Sequence, residues 1–141
     1  MATTSAICNS FKQEILVEGH NLTNGSDSIK LALYTSSATL GAGTTVYVTT
    51  GQATGTNYSA GGAALTNVTP ALSGSTAVCD FADLTFGTLT ITARSCLLYN
   101  STNSNKAICA IDFGADKTST AGDFTVVFPS ASSAAAIIRL A

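Results

Sequence analysis

Residues 28–41 read SIKLALYTSSATLG. Ile29, Leu31 and Leu33 alternate with Lys30, Ala32 and Tyr34, the period of two that marks a strand with one buried face. Beyond Lys30 the other face offers Ala, Tyr, Thr and Ser, with almost nothing ionic to hold it in water. The pattern recurs along the chain. Candidate strands cover 28–35, 44–50, 62–68, 76–81, 84–92, 94–100, 106–113, 123–128 and 134–140, rich in Thr, Val, Ile, Tyr and Phe. Turn residues separate them, and Pro70 and Pro129 fall at strand ends, where a missing amide does least harm. This short, regular rhythm predicts an all-β fold, a single-domain β-sandwich or barrel-like structure.

One segment reads as helix: SFKQEILVEG, residues 10–19. Ser10 and Gln13 stand in capping-box positions, Phe11 and Ile15 supply an apolar stripe, and Gly19 is a natural stop. The helix is barely two turns long and needs tertiary packing to persist. The preceding MATTSAICN is uncharged and aperiodic. The expected organisation is therefore a flexible N-terminal arm over residues 1–10 and a single β domain over residues 11–141.

Composition sharpens the question of the missing charge. Of 141 residues only 10% are charged, against about 25% in an ordinary soluble domain. Apolar residues stand at a normal 45%, so Thr, Ser, Asn, Gly and Ala replace the ions. Burying a hydroxyl or methyl costs far less than burying a charge. Such surfaces suit a protein that will be covered by neighbours, although a free Ser/Thr-rich fold has the same composition. The net charge is −2 and the basic residues are scattered, so no nucleic-acid partner is expected. No basic, then apolar, leader opens the sequence, and the tail AAAIIRLA is too short to span a bilayer and contains Arg139. No membrane partner is expected, and the expected compartment is a cytoplasm.

Cys8, Cys79, Cys96 and Cys109 form no CxxC pair, and His20 is the only histidine, which argues against zinc and leaves no cofactor to expect. Free thiols are the favoured expectation. A hairpin of 95–100 with 106–111 would set Cys96 opposite Cys109 in one register, and a one-residue slip would part them.

The remaining chemistry is sparse. DFG at 112–114 lacks the glycine-rich loop, partnered lysine and HRD segment of a kinase and reads as a strand running into a turn at Gly114. Asp112, Asp116 and Asp123 lack the calcium-loop spacing. Asp80 and Asp83 flank Phe81 as a formal acid pair, but no Trp anywhere offers a sugar platform. His20 has no nucleophile motif and suits a helix end. GAG at 41–43 and AGG at 60–62 read as loop or bulge positions. Tyr34, Tyr47, Tyr58 and Tyr99 are residues of binding surfaces or, more commonly, of a core edge. Asn21, Asn24, Asn57, Asn67 and Asn100 open sequons of the kind a Ser/Thr-rich chain produces by chance. Enzymatic activity is not expected.

FKQEIL (11–16), IKLALYTSSATLG (29–41), YSAGGAALT (58–66) and the run from ITARSC through AAIIRLA (91–141) are distinctive as an ordered set. In that order the chain resembles a family of small virion structural proteins of tailed bacteriophages. The resemblance implies a particle component located in the virion, assembled in the host cytoplasm, and carries no catalytic residues with it. The role expected is a capsid decoration (cement) protein, binding the major capsid protein and copies of itself as a homotrimer. The alternative is a tail or fibre component with a receptor-binding role, for which NLTNGSDS (21–28) and TGQATGTNY (50–58) would be the loops to test.

Overall fold

The stretch IKLALY, residues 29–34, is a strand, and it lies inside a sheet rather than at its edge. The structure is a computed structural model describing residues 2–141. Strand accounts for 48% of it and helix for 6%. In chain order the elements are β1 (Ala6–Ile7), α1 (Asn9–Glu14), β2 (Ile29–Tyr34), β3 (Ala63–Ala64), β4 (Asn67–Ser73), β5 (Thr76–Phe81), β6 (Leu84–Asn100), β7 (Lys106–Val126) and β8 (Ile138–Leu140). They form two antiparallel sheets, one in the order β1-β7-β6-β2-β3 and one in the order β4-β5-β8. Cys79, Phe81 and Ile138 of the smaller sheet belong to the same buried cluster as Leu33, Leu98 and Ile108 of the larger, which joins the two into one all-β domain.

The sparse charge on β2 has a local cause. Ile29, Leu31, Ala32, Leu33 and Tyr34 are all buried, so both faces of the strand are covered. The chain itself supplies the cover. Thr3 Oγ1 meets Ser95 Oγ at 3.0 Å, Tyr34 donates to the Val48 carbonyl at 2.6 Å, and Tyr47 stacks on Tyr99 with ring centroids 4.7 Å apart. The segment expected as a free arm is therefore docked. Ala6 and Ile7 pair with Ala110 and Cys109, the Thr4 amide donates to the Leu40 carbonyl, and Cys8 is fully buried. Met1 lies outside the described residues. Residues 44–50, expected as a strand, are an irregular covering segment with a single isolated β-bridge to the sheet, Val46 to Lys106.

The expected breaks within 84–100 and 106–128 are also absent. Strands β6 and β7 make one hairpin of 17 and 21 residues, turned at 101–105, where Ser104 and Asn105 take left-handed φ angles of 54° and 56°. Irregularities inside the hairpin replace the predicted ends. Between the pairs Ser95–Asp112 and Ala93–Lys117, residues 113–116 stand opposite Arg94 alone, so the DFG triplet runs into a bulge.

The helix begins earlier than its sequence suggested. Cys8 is the N-cap, no side chain caps it, and Ser10 Oγ is buried without a partner. Ser10 lies inside the first turn, where the capping box with Gln13 cannot form. A 3₁₀ turn, Ile15–Val17, extends α1. Glu18, not Gly19, takes the left-handed position at φ 60°, and the Gly19 amide closes back on the Glu14 carbonyl at 2.7 Å.

Candidate functional site

The residues with potential chemistry are spread apart and occupied. Asp112 accepts from Arg94 Nε at 3.0 Å and from the Gly114 amide at 3.2 Å. That amide and the guanidinium hold its carboxyl below the usual range. Asp116 and Asp123 are exposed. Among the described residues no group of three or more His, Cys, Asp or Glu side chains converges where a metal could sit. Asp83 Oδ1 accepts from the Phe128 amide at 2.8 Å, while Asp80 is buried at 1% exposure. The two therefore do not face each other across a cleft as an acid–base pair would. Asp80 Oδ1 accepts from the Phe81 amide at 2.9 Å, and Oδ2 has no partner. Burial pushes this carboxyl up, and the Asp83 charge adds to the shift; the Phe81 and Ile137 amides pull the other way.

His20 belongs to a buried polar node. Its Nε2 donates to Glu14 Oε1 at 2.9 Å, and its Nδ1 accepts from Asn100 Nδ2 at 3.0 Å. Asn100 Nδ2 also donates to Asp27 Oδ2 at 2.7 Å, and Asn100 Oδ1 accepts from the Thr102 and Asn103 amides at 3.0 and 3.1 Å. One fully buried asparagine thus ties α1, the 21–28 loop and the hairpin turn together. This node fixes structure: the His20 and Asn100 donors each have an acceptor. His20 could be placed at the helix end from the sequence, but nothing singled out Asn100, whose sequon reads like any other surface asparagine.

The tyrosines and loops are braced rather than presented. Tyr58 Oη accepts from the Leu33 amide at 2.8 Å, and Tyr99 donates to the Gly61 carbonyl at 2.6 Å. Loop 50–58 is pinned to β2 by the bonds Thr35 N–Gly51 O and Ala53 N–Leu33 O, both 2.9 Å. In loop 21–28, Asn24 Nδ2 donates to the Asn67 carbonyl at 2.7 Å. The four cysteines are free and buried. Cys96 stands opposite Ile111, and Cys109 opposite Leu98, so the register that would face Cys96 with Cys109 is not adopted.

What is left for function is surface. The outward face of the long hairpin carries Thr85, Thr90, Thr92, Thr118, Thr120 and Thr125, all exposed. Facing hydroxyls pair at 2.9 Å in Thr85–Thr125 and Thr92–Thr118, so the face is ordered and uncharged. Beside it lies a shallow hollow of about 500 Å³ whose walls include Thr54, Thr56 and Gly55 and no ionic side chain. A second uncharged hollow, of about 650 Å³, lies between Ala2, Thr4 and residues 39–48. A third, of about 510 Å³, has an apolar floor of Phe113, Phe124, Val126 and Phe128, with Lys117 and Asp123 at its mouth. Val127, more than half exposed, also lines this third hollow, and elsewhere Leu16, Val17, Leu72 and Leu140 are each more than half exposed. Edge protection differs between the sheets. The larger ends in two-residue strands, while the smaller ends in the seven-residue β4, broken by Pro70 and a bulge.

No protein-family model, curated protein or solved structure matches this chain.

Proposed function

We propose that this chain is a virion structural protein of a tailed bacteriophage, and specifically a capsid decoration (cement) protein that binds the assembled head shell and copies of itself. The observation that carries this reading is the outward hairpin face. The covering of β2 by its own chain accounts for the missing charge there, but it does not account for exposed positions that are threonine strand after strand. An ordered hydroxyl and methyl surface can be laid against another protein at low desolvation cost. Glu14, His20, Asp83 and Asp112 are held in structural bonds, which favours a binding role over a catalytic one.

The mechanism is mass action. A module that binds the closed shell and not its dissociated subunits shifts the balance toward the shell, and symmetry multiplies a weak contact by its copy number. Because residues 2–8 are docked on the domain, the contact is assigned to the sheet faces rather than to a trailing arm.

The experiment is co-sedimentation of purified protein with undecorated phage shells, followed by thermal disruption of the shells. Binding should raise the disruption temperature. Thr90→Lys with Thr92→Lys should leave the circular dichroism and melting of the free protein unchanged and abolish shell binding. Protein that pellets with host cells and ignores shells would transfer the role to the tail or fibre; protein that does neither would end the virion reading.

A further inference from the structure

The exposed charges of this chain are few, and their placement is uneven. Among the described residues Lys12, Glu18, Asp83, Asp116, Lys117, Asp123 and Arg139 are exposed and enter no ion pair. Two of them flank a knob. Leu16 and Val17, at the end of the 3₁₀ turn, are 83% and 64% exposed, with Lys12 one turn before and Glu18 directly after. Two others, Lys117 and Asp123, stand at the mouth of the hollow floored by Phe113, Phe124 and Phe128. That hollow, at about 510 Å³, has room for two aliphatic side chains. Phe113 and Phe124 meet at a tilt, with centroids 6.4 Å apart, so the floor is formed without an occupant.

Knob and groove cannot meet within one molecule. Ile137 lines the groove, while its neighbour Ile138 lines the hollow beneath Ile15, and consecutive residues at a strand end face opposite ways. The Gly19 amide bonded to the Glu14 carbonyl holds the knob rigid.

We propose that Leu16 and Val17 of one copy seat in the Phe113–Phe124–Phe128 groove of a second copy, with Glu18 against Lys117 and Lys12 against Asp123. The contact rests on the decoration reading, for which it supplies the self-association. It is head-to-tail: each copy offers a knob to one neighbour and a groove to another. Such a contact does not stop at a dimer but repeats until a ring closes or a filament grows.

Sedimentation velocity across a concentration series tests it. Wild-type protein should associate beyond two copies. Leu16→Asp removes the knob and Val127→Arg obstructs the groove; each should weaken association by about 100-fold or more. Mixed together, the two variants should form a 1:1 complex that grows no further, because one retains a groove and the other a knob. Glu18→Lys and Lys117→Glu should each weaken association by about 10-fold and restore it when combined in one chain. The charge pair decides the matter if either apolar variant loses its native circular dichroism. Wild-type protein that stays monomeric at about 100 μM, variants that associate unchanged, or a mixture of folded variants that stays monomeric would overturn the proposal. Shell binding is read separately on monomeric Leu16→Asp. Association without shell binding by the wild type removes the decoration role and leaves the contact standing; shell binding by a wild-type monomer removes the contact and leaves the role.

Discussion

Replacing Asn100 with alanine should cost about 4 kcal/mol of folding free energy, with a floor of about 3 kcal/mol. Asn100 is fully buried and serves four partners. Two of them, the Thr102 and Asn103 amides, lie at a turn that water can reach, so losing each bond costs about 0.5–1 kcal/mol. The other two are worse placed. The His20 side chain has no solvent exposure, and Asp27 is half-buried; stranding either costs about 1–3 kcal/mol. At a urea slope of about 2 kcal/mol/M the midpoint should fall by about 2 M with the slope unchanged. Far-UV circular dichroism follows the transition, since the chain has no Trp. Asn100→Asp should be no more stable than Asn100→Ala at neutral pH. It keeps both turn acceptors but loses both donations and sets a carboxylate against Asp27. An alanine variant within 1 kcal/mol of wild type would show that water replaces these bonds freely, and the node could not then be the link between α1 and the hairpin turn.

Three further outcomes follow from the same contacts. Burial raises the folded pKa of Asp80, so the native state holds this proton more tightly than the unfolded chain does; stability should be full below the unfolded carboxylate value of about 3.9 and fall as pH climbs through the folded value. Asp80→Asn should therefore flatten the pH dependence of melting over that window and raise the melting temperature at pH 7, and a variant with the wild-type pH profile would remove Asp80 as its source. Burial pushes the Cys8 thiol up to about 11 and Cys79 up to about 12, and raises Cys96 and Cys109 well above the usual thiol value, so a thiol reagent at pH 8 should label none of the four in native protein and all four in denaturant. Gly62→Ala should leave little folded protein at 37 °C by circular dichroism, because φ is +77° and a Cβ would sit 1.7 Å from the Leu31 carbonyl oxygen; a well-folded variant would show that β3 can lift from β2 without penalty.

The strand alternation made the fold class legible, because a period of two survives whatever the topology. The position of each strand within its sheet was not legible. The alternation at 29–34 looks like one wet face and one dry face, but cover from distant segments, among them Val48 against Tyr34 and Tyr58 against Leu33, leaves five of the six residues buried. Gly114 looked like the end of a strand because glycine punctuates local structure. In a hairpin held by cross-strand bonds it lies in a bulge that the ladder passes through. Ser10 had the right neighbours for a cap, yet pairing of Ala6–Ile7 with β7 started the helix at Cys8 and stranded the serine inside it. Of the candidate interface, the exposed threonines were visible as composition. The groove was not, since its floor joins Phe113 from the bulge to Phe124 and Phe128 from the far end of the hairpin.

The long hairpin also dictates an order of events during synthesis. β1 finds its partner only in β7, and β2 only in β6 and the two-residue β3. As the ribosome delivers the chain from its N-terminus, the first 83 residues emerge with β4–β5 as their one substantial self-contained pairing. The apolar IKLALY must wait for its main partner strand until residue 100 has been made. Such a chain is most exposed to misassociation while it is still tethered, and a nascent-chain holdase should bind it between the appearance of residue 34 and the completion of the 101–105 turn.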